Sequence, residues 1–167
     1  YAMADWAALE WLRLIGGARW ERTDLSLSGR NQTLNQALPS AGILQDDILP
    51  SLSAVVSFTE TFQLRAAWSQ TVVRPTYREI APVYIYDLAD GELIGGNPRL
   101  KISDSANYDL RLEWYPRPGE ILSLSVFMKE ITAPIELVNV TPDNLEYRNS
   151  NDADVYGVEL EFRKRLD

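Results

Sequence analysis

Hydrophobic and polar residues alternate along much of the chain with a period of two, which only a β-strand converts into one apolar and one polar face. The pattern is cleanest at residues 107–129. There Tyr108, Leu110, Leu112 and Trp114 alternate with Asn107, Asp109, Arg111 and Glu113, while Leu122, Leu124, Val126 and Met128 alternate with Ser123, Ser125, Phe127 and Lys129. Pro116, Pro118 and Gly119 cannot continue a ladder and supply the reversal between the two arms. The spacing predicts a β-hairpin with a charged face and a face of long aliphatics ending in Trp114. A soluble sheet with one wet face has the same alternation, so the hairpin alone leaves water and lipid both open.

Further strands are predicted at residues 12–27, 48–58, 62–69 and 155–166, and the mildly apolar residues 1–9 fit a strand or a short helix and are read as a strand. Leu12, Leu14, Gly16, Ala18 and Trp20 oppose Arg13, Ile15, Gly17, Arg19 and Glu21. Near the end of the chain Tyr156, Val158, Leu160 and Phe162 oppose Gly157, Glu159, Glu161 and Arg163. Short turns fall near Glu10, at Thr59-Glu60-Thr61 and at Pro118. Residues 28–46, 73–104 and 132–151 read as long connections, the second with three prolines and a Gly95-Gly96-Asn97-Pro98 turn signal. Short and long connections therefore alternate, and every long one falls at the same end of the sheet. A sandwich has no reason to do this, whereas an up-and-down outer-membrane barrel does. The expected fold is all-β, an antiparallel up-and-down meander of about seven strands forming part of a transmembrane β-barrel. Trp20, Phe58, Phe62, Trp68, Trp114, Tyr115 and Tyr156 stand at strand ends, as girdles at two lipid interfaces would.

A length of 167 residues with 46% hydrophobic residues suits one domain, and a net charge of −8 argues against nucleic acid as a partner. The chain has neither Cys nor His. That removes disulfides, thiolate metal sites and every Ser-His or Cys-His arrangement. No run approaches the roughly 20 apolar residues of a membrane helix. Residues 1–11 lack the basic start and cleavage pattern of a signal peptide, and a chain that begins mid-pattern reads as an excised piece.

Candidate chemistry is sparse. Glu159 with Glu161, or Asp109 with Glu113, could serve as acid and base toward a glycoside. The plainer reading is that these carboxylates line a wet lumen with Arg65, Arg111 and Arg163 as cross-strand partners, and no enzyme is expected. Asp87, Asp90 and Glu92, and Asn149, Asn151, Asp152 and Asp154, place oxygens in loops as a calcium site would, but neither stretch has the full ligand pattern, so polar residues holding turns is the favoured reading. No cofactor is expected. Tyr77, Tyr84, Tyr86 and Asp87, with Asn97 further along the same loop, are the candidates for ligand contact, because tyrosine offers a flat apolar surface with a polar handle. Packing of the loop against its neighbours explains the tyrosines equally well.

Residues 65–82, Arg-Ala-Ala-Trp-Ser-Gln-Thr-Val-Val-Arg-Pro-Thr-Tyr-Arg-Glu-Ile-Ala-Pro, resemble the barrel of TonB-dependent outer-membrane receptors. Gly17-Ala18-Arg19-Trp20-Glu21, Gly96-Asn97-Pro98-Arg99-Leu100-Lys101 followed by Asn107-Tyr108-Asp109-Leu110, and Val155-Tyr156-Gly157-Val158-Glu159-Leu160 resemble the same family in the same order. The chain departs from the family where Ile102-Ser103 replaces a usual Pro-Glu pair. It also shows no plug domain, no TonB box and no terminal strand ending in an aromatic residue, since the sequence stops at Arg165-Leu166-Asp167. Family barrels have about 22 strands around a plugged lumen, so the resemblance implies that residues 1–167 are an internal part of one. It further implies a place in the bacterial outer membrane among lipid, contact with the rest of the barrel and the plug, TonB acting through the missing plug region, and energised uptake of a siderophore, a cobalamin or an oligosaccharide. The alternative is a soluble all-β carbohydrate-binding module, whose apolar face would be an internal core.

Overall fold

A computed structural model describes residues 1–31, 33–88 and 91–165. In chain order the elements are β1 (Ala2–Leu9), β2 (Leu12–Leu27), β3 (Arg30–Asn31), β4 (Gln36–Ala37), β5 (Ala41–Ser57), β6 (Phe62–Val73), α1 (Tyr77–Ile80), β7 (Tyr84–Asp87), β8 (Glu92–Gly95), β9 (Ser103–Trp114), β10 (Ile121–Thr132), β11 (Ile135–Thr141), β12 (Asn144–Asn149) and β13 (Ala153–Arg163). Seven of them form one antiparallel sheet in the order β1-β2-β5-β6-β9-β10-β13. This is the expected meander.

Register shows why the alternation matters. Trp6, Leu14, Ala54, Ala66, Leu110, Val126 and Val158 are paired in one row across all seven strands. The next row carries Leu12, Val56, Leu64, Leu112, Leu124 and Leu160 on the same face. Aromatic rows bound this band. Phe62, Trp114, Leu122 and Phe162 lie toward the short turns, and Trp68, Tyr108, Met128 and Tyr156 toward the long connections. One row beyond these, Gln70, Ala106, Glu130 and Asp154 end the apolar face. Among the described residues no second sheet covers the band, as a sandwich would require, and Leu160 remains 74% exposed. Tyr115 departs from the girdle reading. Its phenol turns toward Glu113, and burial together with that hydrogen bond raises its pKa above the ordinary phenol value.

Several boundaries differ from expectation. The strand expected from residue 48 begins at Ala41, because residues 41–47 pair residue by residue with the upper part of β2 despite Gly42 and the two aspartates. The connection expected at 28–46 shrinks accordingly and contains the β3–β4 ladder. Likewise β6 runs to Val73, β9 starts at Ser103, and β13 spans Ala153–Arg163; Leu166, expected in that last strand, and Asp90 of the loop carboxylates lie outside the described residues. The two longer connections carry structure of their own. Their strands join in a four-stranded sheet, β11-β12-β8-β7, in which β12 and β8 run parallel.

The hydrophobic core sits at this end of the molecule. Ala41, Ile80 and Leu100 are buried, with Leu25, Leu27, Ile135 and Tyr147 packed against them. On the main sheet these positions belong to the polar face of β2 and β5, which turns apolar where the strands rise under the loop layer. Glycines permit the layer's close packing. A Cβ on Gly96 would lie 2.1 Å from the Ala81 carbonyl oxygen and 2.7 Å from that of Arg78, so the chain after β8 presses directly on α1. Gly95 and Gly96 thus serve close approach, and neither adopts the positive φ of a tight turn.

Candidate functional site

The polar face carries an ion ladder built by the register. Arg65 and Arg111 are direct cross-strand partners, an arrangement that repels unless an anion lies between them. Glu113 supplies it. Arg65 Nε donates to one carboxylate oxygen at 2.7 Å and Arg111 Nε to the other at 2.8 Å, and the Glu113 side chain is only 7% exposed. Arg111 then spans β10 to reach Glu161 at 2.6 Å and donates to Ser125 Oγ at 3.1 Å on the way. Arg163 completes the run on Glu161 at 3.0 Å. Ser123 lies between Glu113 and Glu161 in the register, buried, with no partner for its hydroxyl. The small serines on β10 leave room for the arginine to cross.

The carboxylates named from the sequence therefore separate into two kinds. Glu113 and Glu161 are bound into the ladder, whereas Asp109 and Glu159 share the face and have no ion-pair or hydrogen-bond partner among the described residues. Phe127 sits beside Asp109, its ring laid over Gly157, where a Cβ would come within 2.5 Å of the ring. A further pair on this face, Arg13 with Asp5 at 2.8 Å through Nε, was not foreseen.

A second cluster stands toward the long connections. Arg74, just past β6, donates to Glu21 and to Thr23 Oγ1, each at 2.5 Å, and lies 3.5 Å from Asp47. Gln45 also donates to Asp47 at 2.6 Å, and Arg19 pairs with Glu21 at 2.7 Å. The alternation pattern hid this cluster, because Asp47 falls between the expected loop and the expected strand and Arg74 reads as the start of a connection. Arg74 immediately before Pro75 was the available signal, since a residue held extended by the proline can aim its side chain back at the sheet.

The loop layer presents the tyrosines. Tyr84 and Tyr86 alternate on one face of β7, 64% and 59% exposed, and Tyr77 opens α1 with its ring exposed as well. The Tyr84 ring lies over Gly95, its cross-strand partner. Asp87 ends β7 beside them. Asn97 is placed differently. It is buried, its amide nitrogen donates to the Tyr147 carbonyl at 3.0 Å, and its oxygen accepts from the Arg99 N–H at 3.0 Å. Asn149 ties the same layer down by accepting from Lys101 N and donating to the carbonyls of Lys101 and Ala133, while Asp152 accepts from Ala133 N. Ala133 has φ of 52°, and these bonds hold it there.

A family model described as TonB dependent receptor-like, beta-barrel, matches residues 1–167. The chain belongs to this TonB-dependent receptor barrel family. Its members are receptors and transporters, not enzymes. No curated protein matches the chain. Among solved structures it is similar to a mutant of the ferric enterobactin receptor PfeA of Pseudomonas aeruginosa, at 20% identity and a TM-score of 0.65, over 95% of this chain and 23% of that one. It is similar to a double mutant of the hemophore receptor HasR of Serratia marcescens in complex with its hemophore HasA and heme, at 15% identity and a TM-score of 0.70, over 91% of this chain and 29% of that one. The siderophore receptor PirA of Pseudomonas aeruginosa gives 20% identity and a TM-score of 0.61, over 96% of this chain and 37% of that one. The chain thus spans less than two fifths of each of these TonB-dependent receptors. At such identities the likeness is one of fold.

Proposed function

We propose that residues 1–167 are a section of the barrel wall of an outer-membrane receptor in a Gram-negative bacterium, and that the whole receptor takes up a bulky nutrient with energy delivered through TonB and a plug. The observation that carries this reading is the uncovered apolar band of the seven-stranded sheet, bounded by aromatic rows and backed by a charged face. In this reading the band meets lipid. Arg65, Asp109, Arg111, Glu113, Glu159 and Glu161 face a watery lumen, with the plug as their further partner. Among the nutrients considered, a siderophore is favoured over a cobalamin or an oligosaccharide, because the structural neighbours include receptors for ferric enterobactin and other siderophores.

The long connections then overhang the outer mouth, and Tyr77, Tyr84, Tyr86 and Asp87 form the ligand-facing surface of the loop layer. Aromatic contacts contribute about 0.5–1.5 kcal/mol each beyond area burial. Removing Tyr84 and Tyr86 together should weaken nutrient binding by about tenfold or more. The test is equilibrium binding of ferric siderophores to the intact receptor in detergent. Equal affinities for the Tyr84→Ala/Tyr86→Ala variant and the parent would leave these rings as packing groups.

A further inference from the structure

The sheet is continuous across seven strands only in its lower part. The β5–β6 ladder runs from the Ser57 and Gln63 pair to the Ser51 and Ser69 pair and ends there, beside Pro50, which has no N–H to donate. Both strands go on without each other. β5 continues to Ala41 on β2 alone, and β6 continues to Val73 on β9 alone. Toward the long connections the wall is therefore split into a β1-β2-β5 part and a β6-β9-β10-β13 part. Clefts open at this place on both faces, one of about 370 Å³ beside Leu49, Pro50, Ser69 and Thr71 and one of about 330 Å³ beside Asp46, Gln70, Asp104 and Glu130.

Among the described residues two groups of contacts tie the parts together across the split. One is the small core, in which Leu25, Leu27 and Ala41 of the first part meet Ile80, Leu100, Ile135 and Tyr147 of the loops borne by the second. The other is Arg74, which leaves β6 and binds Glu21, Thr23 and Asp47 on β2 and β5. Arg74 is one-third exposed and Asp47 is 7% exposed at its side chain, so the bridge lies at the border of solvent. Parting the two sides breaks no ladder hydrogen bond. We propose that the β5–β6 split is a seam built to open at the barrel mouth, and that Arg74 is the latch that holds it shut.

The proposal rests on the barrel-wall reading, and the test separates the two. In the full-length receptor, spin labels at Leu44 and Asp104, both exposed, report the distance across the seam, while labels at Leu52 and Leu110 report the same strands where the ladder is intact. Double electron–electron resonance on the parent should give a narrow distribution for each pair. Arg74→Ala should broaden the Leu44–Asp104 distribution toward longer distances and leave the Leu52–Leu110 distribution unchanged. Should Arg74→Ala fail to assemble, Glu21→Gln with Asp47→Asn removes the anions that hold the latch and is read in the same way. An unchanged seam distance, or equal broadening of both pairs, overturns the latch. A Leu52–Leu110 distance in the parent incompatible with the sheet overturns the wall itself.

Discussion

Glu113 holds together two arginines that would otherwise repel across a strand pair, and it does so from a nearly buried position. Replacing it with Gln leaves Arg65 and Arg111 facing each other without an anion between them. A charge-assisted hydrogen bond lost at such a site costs about 1–3 kcal/mol, and the half-exposed Arg65 recovers part of its share from water. Glu113→Gln should therefore lower the urea midpoint of the folded receptor, whereas Glu159→Gln, at a carboxylate with no partner, should change stability by no more than about 0.5 kcal/mol. Equal midpoints for the two variants would show that the ladder is ornamental. Ser123→Ala belongs with them: its buried hydroxyl has no partner, so the substitution should leave stability unchanged or raise it in the same urea titration. At this scale the shared face of Arg65, Asp109, Arg111, Glu113, Glu159 and Glu161 was readable in the sequence, since a period of two needs only the order of residues. Arg65, Arg111 and Arg163 were readable as the partners of these carboxylates, and they pair with Glu113 and Glu161, but which arginine meets which carboxylate was not. Arg111 meets Glu161 across an intervening strand, and Asn97, a candidate for ligand contact by its place in the loop, spends both ends of its amide on the loop layer.

The strands of the main sheet declare themselves because each has one face in contact with something apolar and one with something polar. Pattern fails where both faces change role. Residues 41–47 lie above the band, so Ala41 joins the loop core while Leu44 faces out at 67% exposure, and no alternation marks them as strand. The four-stranded loop sheet escaped for a related reason: its strands are short, and the parallel pairing of β8 with β12 joins residues about fifty positions apart. Its dependence on close packing gives a prediction. Gly96→Ala places a methyl against two backbone oxygens of the α1 segment, which cannot turn aside as a flexible side chain would. Overpacking of this kind costs about 1–3 kcal/mol, and the strain falls on the loop layer, not on the ladders of the wall. Limited proteolysis of the intact receptor should then cut within residues 74–102 faster than in the parent, while the heat-modifiable electrophoretic mobility of the folded barrel stays the same. Unaltered cleavage would mean that the layer is held elsewhere.

For the molecule as a whole, the decisive quantity is which solvent each face meets. Residues 1–167 alone expose the apolar band and leave the outer edges of β1 and β13 without ladder partners, so this piece should need detergent or form edge-to-edge oligomers; a cooperatively unfolding monomer in plain buffer would contradict the lipid assignment. A sharper test uses register in the full receptor. Leu112 stands in the apolar rows between Leu64 and Leu124, and its neighbour in sequence on the opposite face is Arg111. In the proposed barrel wall a slip of one residue in β9 would carry Asp109, Arg111 and Glu113 outward into lipid, and that cost would fix the pairing. An arginine on the lipid face near the bilayer midplane costs about 2–4 kcal/mol. Leu112→Arg should accordingly block assembly, while Asp109→Leu, on the polar face at a carboxylate with no ion-pair partner among the described residues, should assemble normally because no ion pair of the wall is lost. The measurement is the amount of heat-modifiable receptor recovered from outer-membrane fractions. Normal recovery of Leu112→Arg would place the apolar rows away from lipid, and loss of Asp109→Leu alone would mean that the two faces had been exchanged.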